Sequence, residues 1–138
     1  NKENKIKEAL EFYGKNLGLT FQIADDTLDY NSDLKFFGKK VGNDFYEGKV
    51  TLPIIILYQK ANNNEKIKLK KLFEEDKRSE EDLKKILLMI KNYNIISDCY
   101  KKAEHFINLA SNSLSIFDDS KEKEILKNLT SFSLERSY

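Results

Sequence analysis

The sequence predicts an all-α protein, a helical bundle or part of a larger one. One proline and five glycines in 138 residues leave too few tight turns for a sandwich or barrel. Apolar residues recur at helical spacing along most of the chain. Helix starts are marked by capping residues and by acids in first turns, as at Ser79-Glu80-Glu81-Asp82.

The first helix is predicted from Ile6 to about Tyr30. Its apolar stripe is Ile6, Ala9, Leu10, Tyr13, Leu17, Phe21, Ala24 and Leu28, at spacings of three, one, three, four, four, three and four. Gly14 and Gly18, four apart within it, predict the close approach of a neighbouring helix, with a kink as the alternative. Asn31 to Thr51 breaks the periodicity and holds three of the five glycines, Gly38, Gly42 and Gly48, among Lys39, Lys40 and Lys49. A loop of that length with that composition reads as functional. Thr51 predicts an N-cap with Pro53 in the first turn, and Ile54 to Leu57 an all-round buried segment. Asn62-Asn63-Asn64 ends it. Amphipathic helices follow over Glu65–Glu75 (Ile67, Leu69, Leu72 and Phe73 inward), from Ser79 (Leu83, Ile86, Leu87 and Ile90 inward) and over about Ile96–Ile116. Asp118 or Asp119 caps a last helix with Ile125, Leu126, Leu129 and Phe132 inward. No internal repeat or low-complexity stretch is present.

Composition excludes several classes. The 24 Lys+Arg against 23 Asp+Glu give a net charge of +1, without the basic excess of a nucleic-acid protein. No apolar run nears the roughly 20 residues of a membrane-spanning helix, so no transmembrane segment is expected and the chain reads as soluble. A lone Cys99 excludes an internal disulfide and a Cys-based zinc site; it reads as a core thiol. A lone His105 excludes a His-rich metal site and disfavours a His-based triad; it reads as exposed. The basic residues are 22 Lys against two Arg, which reads as compositional bias. With no initiating Met or leader, the chain reads as a piece of a longer protein.

The informative segment is Phe21-Gln22-Ile23-Ala24-Asp25-Asp26-Thr27-Leu28-Asp29. Asp25 and Asp29 are four apart, so helical geometry puts them on one face with Asp26 about 100° around from Asp25. Gln22 precedes Asp25 by three residues and Asp26 by four. Like charges at this spacing weaken a helix, and acids near its C-terminus meet the unfavourable end of its dipole. A cation removes both penalties. Carboxylates without His or Cys suit a hard ion, Mg²⁺ above all, which takes one or two carboxylates and completes its shell with water and substrate phosphates. The acidic face therefore implies a phosphorylated ligand. The following loop supplies the complement: Lys39 follows Gly38, Lys49 follows Gly48, and lysines offset the charge left on a metal-bound diphosphate.

These strings resemble the trans-isoprenyl diphosphate synthases, specifically the polyprenyl type. The family's second aspartate-rich motif, Phe-Gln-x-x-Asp-Asp-x-x-Asp, stands as Phe21 to Asp29. Gly-Lys-x-x-Gly-x-Asp stands as Gly38 to Asp44 and runs on through Glu47-Gly48-Lys49-Val50-Thr51-Leu52-Pro53. The resemblance is strong over about Glu8–Tyr58 and rests mainly on pattern beyond.

The resemblance implies the C-terminal part of the isoprenoid-synthase fold. It implies an enzyme that joins an allylic diphosphate to isopentenyl diphosphate, head to tail, with release of diphosphate. Asp25 would be the direct Mg²⁺ ligand, and Asp26 and Asp29 would act directly or through metal-bound water. Gln22 would hydrogen-bond beside them. Lys39 and Lys49 would bind the allylic diphosphate, and Asp44 would orient a water or a lysine behind the ligands. The family's first aspartate-rich motif and its basic residues for isopentenyl diphosphate have no counterpart in residues 1–138. The whole chain, 1–138, is thus expected to be a C-terminal half, inactive alone. Asp118-Asp119 imitates an acidic motif but reads as a helix cap. The complete enzyme is expected to be a homodimer, with a heteromer as the alternative, and no nucleic acid as partner. It is expected inside the cell, cytoplasmic or organellar, the mitochondrion included. A non-catalytic helical subunit that regulates a complete synthase is the competing reading; a terpene cyclase or head-to-head synthase is disfavoured by Gly-Lys-x-x-Gly-x-Asp.

Overall fold

The structure, a computed structural model, describes residues 1–31 and 41–135. Among them the secondary structure is helical throughout: α1 Lys2–Leu28, α2 Asn43–Tyr46, α3 Leu52–Lys60, α4 Asn63–Glu74, α5 Glu80–Asn92, α6 Ile95–Ser113, a 3₁₀ turn Leu114–Ile116, and α7 Lys121–Glu135. None of these helices is long and apolar enough to cross a membrane.

The helices divide into two compact units. One joins Asn1–Ala24 to the chain from Lys101 onward; the other is Asp25–Tyr100. In the first unit Tyr13 and Leu17 of α1 pack with Ala110 and Leu114, flanked by Phe21, Phe117 and Leu126. The Tyr13 hydroxyl donates to the Leu126 carbonyl at 2.7 Å, and the buried Thr20 hydroxyl donates to Asn16 O one turn back at 3.0 Å. Among the described residues no neighbouring helix approaches Gly14 or Gly18: a Cβ built on either meets nothing within 4 Å. They lie on the exposed side of a helix that is continuous through both positions. The cap of α7 is Ser120, whose hydroxyl accepts the Lys123 N–H at 3.1 Å; Asp119 instead pairs with the Lys123 ammonium. Ile125, Leu129 and Phe132, expected inward, are exposed, and only Leu126 of that set joins the core.

The second unit has the larger core. Tyr30, Phe45, Ile54, Ile56, Leu57, Leu69, Leu83, Ile86, Ile90, Ile95 and Cys99 are buried together. Pro53 opens α3 in its first turn, where a missing N–H costs nothing. The segment is not buried all round, because Ile55 and Tyr58 face outward. In α4, Ile67 is likewise outward and Leu69 alone is fully buried. Two capping boxes set the starts of α4 and α5: Asn62 with Glu65, and Ser79 with Asp82. Asn62 thus opens a helix as well as following one. Lys60, ending α3, pairs with Asp98 in the first turn of α6.

Cys99 is fully buried in this core, and burial pushes its thiol up to about 11 against the opposing effect of a hydrogen bond with Thr27. The thiolate is the reactive form. The native chain at pH 8 should resist labelling by iodoacetamide and label readily in denaturant; rapid labelling of the folded chain would show that the core is open at this point.

Candidate active site

The Asp25–Tyr100 unit contains the acids singled out by sequence, and the structure gives them different surroundings. Asp25 is exposed and Asp26 half-buried in the last turn of α1, while Asp29 is only 3% exposed. Helical spacing puts Asp25 and Asp29 on one edge; α1 ends at Leu28, and Asp29 follows at its C-terminal end with its N–H still bonded to Asp25 O at 3.3 Å. Among the described residues no three carboxylates, imidazoles or thiols come together as a metal cage. Gln22 is exposed on α1 and belongs to the other unit. Lys39, with Gly38 and Lys40, lies outside the described residues.

Asp29 turns inward to α2. Its Oδ1 accepts the Asn43 N–H at 3.2 Å and its Oδ2 the Asp44 N–H at 2.9 Å. Its carbonyl accepts the Gly42 N–H at 2.8 Å. These groups would otherwise lack partners, since the first N–H groups of any helix have no intrahelical acceptor. Gly42 makes the entry feasible. Its φ of +90° is left-handed, and a Cβ there would stand 2.6 Å from Leu83 Cδ2.

The other end of α2 closes as a Schellman motif. Gly48 N–H donates to Phe45 O at 3.0 Å and Lys49 N–H to Asp44 O at 2.8 Å, with Gly48 at φ +72°. Arg78, from the chain between α4 and α5, covers the same end. Its Nε donates to Phe45 O at 2.7 Å and Nη2 to Tyr46 O at 3.4 Å. Its Nη1 donates to Leu72 O and Glu75 O, at 3.0 and 2.6 Å, at the end of α4. One planar guanidinium thus serves the last carbonyls of two helices.

The charges around α2 are unevenly balanced. Burial, then the carboxylate of Asp29, pushes Asp44 above its ordinary value; Lys49 pulls it down, and Asp26 and Glu47 push it up again. The phenol of Tyr30 is raised by burial and then by Asp29, Asp44 and Asp26, with Arg78 opposing. The buried Tyr30 hydroxyl has no hydrogen-bond partner among the described residues. Thr51 occupies the N-cap of α3 as expected, but its buried hydroxyl makes no capping bond. The site therefore gathers Asp26, Asp29 and Asp44 within electrostatic reach of one another and places Lys49 in reach of Asp44. Asp25 stands exposed beside them in sequence. Arg78 was not singled out by sequence, although an arginine among 22 lysines was a signal that fork-shaped donation is needed there.

Comparison with known proteins agrees with this architecture. Residues 1–90 match the polyprenyl synthetase family. An all-trans-nonaprenyl-diphosphate synthase (geranyl-diphosphate specific) of Rhodobacter capsulatus is 32% identical over 132 residues, 96% of this chain and 40% of that protein. A polyprenyl synthase of Caulobacter crescentus, solved with calcium and isoprenyl diphosphate, superposes with a TM-score of 0.83 at 31% identity. The match covers 95% of this chain and 40% of that one. A geranylgeranyl pyrophosphate synthetase of Pyrococcus horikoshii superposes with a TM-score of 0.82 at 33% identity, covering 96% and 40%. The chain belongs to the polyprenyl synthetase family, has its all-helical fold, and spans about 40% of the length of these relatives.

Two predictions follow from the geometry. Asp29→Ala removes the acceptor of two part-buried backbone N–H groups, at a total cost of about 1–3 kcal/mol. Asp25→Ala, at an exposed position, should stay within about 0.5 kcal/mol of the parent. Urea unfolding of both variants checks this, and equal stability of the two would remove the structural role of Asp29. The second concerns Asp44. Its folded pKa is raised, so the fold favours the protonated acid, and the associated stability is fully present below the unfolded value of 3.8 and lost as pH rises through the folded value. In EDTA, Asp44→Asn should therefore be more stable than the parent at pH 7. The advantage should vanish below about pH 4, as melting temperatures across the range will show.

Proposed function

We propose that the protein carrying this chain is a magnesium-dependent prenyltransferase of the polyprenyl type. It condenses an allylic diphosphate with isopentenyl diphosphate, head to tail, and releases diphosphate. The observation that carries this reading is the backbone that joins the two motifs: Asp29 of the aspartate motif caps the start of α2, and Lys49 closes its other end with its N–H on Asp44 O. Family membership and the relatives' names support it.

The donor set fits a hard divalent ion. It is all carboxylate, with Asp25 exposed and Asp26 half-buried on α1, and the carboxylates of Asp29, Asp26 and Glu47 add to burial in raising Asp44, with Lys49 opposing. Two carboxylates completed by substrate oxygens are what Mg²⁺ ordinarily takes. Asp25 would hold the ion directly, with Asp26 direct or through water. Asp29 lends its charge to the cluster while both its oxygens hold the α2 backbone. When bound, the ion would supply charge neutralisation for the diphosphate leaving group.

In the reaction the allylic C–O bond breaks, with its electron pair leaving on diphosphate. A C–C bond forms from the isopentenyl double bond, and one proton is lost from the condensed product. Lys49 and Lys39 bind the allylic diphosphate and offset the charge that grows on it as the C–O bond stretches. Gln22 hydrogen-bonds to the same oxygens or to their water. Asp44 orients the Lys49 ammonium. The basic residues for isopentenyl diphosphate and a first acidic motif belong to the rest of the protein, so the chain alone is inactive. The complete enzyme is a homodimer in this reading.

Asp25→Asn in the intact protein should abolish Mg²⁺-dependent condensation, and Lys49→Ala should lower the rate by about 10²–10³. Radiolabelled isopentenyl diphosphate incorporation measures both. Unchanged turnover in Asp25→Asn would end the proposal.

A further inference from the structure

We infer that Arg78 is a positioning residue for Lys49, acting through the carbonyl end of α2; this rests on the reading of Lys49 as a ligand of the allylic diphosphate. Nothing in the aspartate or glycine-lysine motifs points to Arg78, which lies 29 residues beyond Lys49 in the chain.

The connection is made of backbone. Lys49 is the residue that closes the Schellman motif, its N–H bonded to Asp44 O, and its place depends on where α2 ends. That end is defined by Phe45 O, which accepts from Gly48 N–H at 3.0 Å and from Arg78 Nε at 2.7 Å. The guanidinium also lies against Gly48, where a Cβ would stand 2.7 Å from Nη2. The left-handed glycine immediately before Lys49 thus takes its place against the arginine. The opposite edge of the guanidinium is fixed to Leu72 O and Glu75 O at the end of α4. The Phe73 ring lies 6.0 Å away. Arg78 therefore transmits the position of α4 to Lys49. A lysine cannot do this, because it lacks the in-plane fork that reaches both helix ends at once.

A merely structural arginine would lower stability without favouring one substrate over the other. A positioning arginine would act on the ligand that Lys49 holds. Misplacement by about 1 Å costs up to about a hundredfold in such sites. In the intact protein, KM for the allylic diphosphate and for isopentenyl diphosphate are measured separately for Arg78→Lys, Lys49→Ala and the double variant. Arg78→Lys should raise the allylic KM about tenfold and leave the isopentenyl KM within about twofold. The double variant should be no worse than Lys49→Ala alone, since the effect passes through Lys49. An unchanged allylic KM in Arg78→Lys, an equal rise in both KM values, or an additive loss in the double variant overturns the inference. A normal allylic KM in Lys49→Ala overturns it by removing the reading on which it stands, which the single variants distinguish. If Arg78→Lys fails to fold, Arg78→Gln is judged by the same two constants.

Discussion

A four-residue helix cannot hold itself in water, yet the end of α2 sets the backbone of Lys49, whose charge the proposed chemistry uses. Helix nucleation is unfavourable, and every backbone group in so short a helix lies near an end. The constraint is met from both sides. A buried carboxylate takes two N–H groups at the start, and a guanidinium takes two carbonyls at the finish. Each charged hydrogen bond contributes about 1.5–3 kcal/mol where a neutral one gives about 1. The clamp is therefore strong enough to order a segment with no helical stability of its own. Gly42 and Gly48 let the chain enter and leave at left-handed angles, against Leu83 and Arg78 respectively.

The same clamp loads the site with unfavourable charge. Asp29, fixed at the N–H end of α2, raises Asp44 and Tyr30, and Asp26 adds to both effects. Lys49 and Arg78 oppose the acids without removing the upward shifts. A fold optimised for stability alone would not keep three carboxylates this near a buried phenol without a hydrogen-bond partner. In the reading proposed above, an entering cation would turn repulsion among the acids into attraction to the ion. Stability is thus spent where a ligand would return it.

Much of the scaffold was legible because it obeys local rules. The stripe from Tyr13 to Leu28, the box at Ser79 and Asp82, and the inward set Leu83, Ile86 and Ile90 follow from spacing and capping alone. Burial was misread where periodicity says which face but not what covers it: Ile55, Ile67, Ile125 and Phe132 fit helical stripes and are exposed. At the site the failure had another cause. α2 is set by bonds from residues 14 and 15 positions earlier and about 33 later, which no local window contains. Asp29 and Arg78 could be recognised in sequence as an acid and a base, but not as the two ends of one clamp.

Asp25, Asp26 and Asp29 are one residue type in one motif, and only their surroundings divide the work. Asp25 is exposed because it lies on the outer face of α1, so its oxygens can meet an incoming ion at little desolvation cost. Asp29 stands at the C-terminal end of α1, its N–H bonded to Asp25 O, and its carboxylate accepts the N–H groups of Asn43 and Asp44. The proposed division, an acid that binds and an acid that builds, follows from exposure at Asp25 and burial at Asp29.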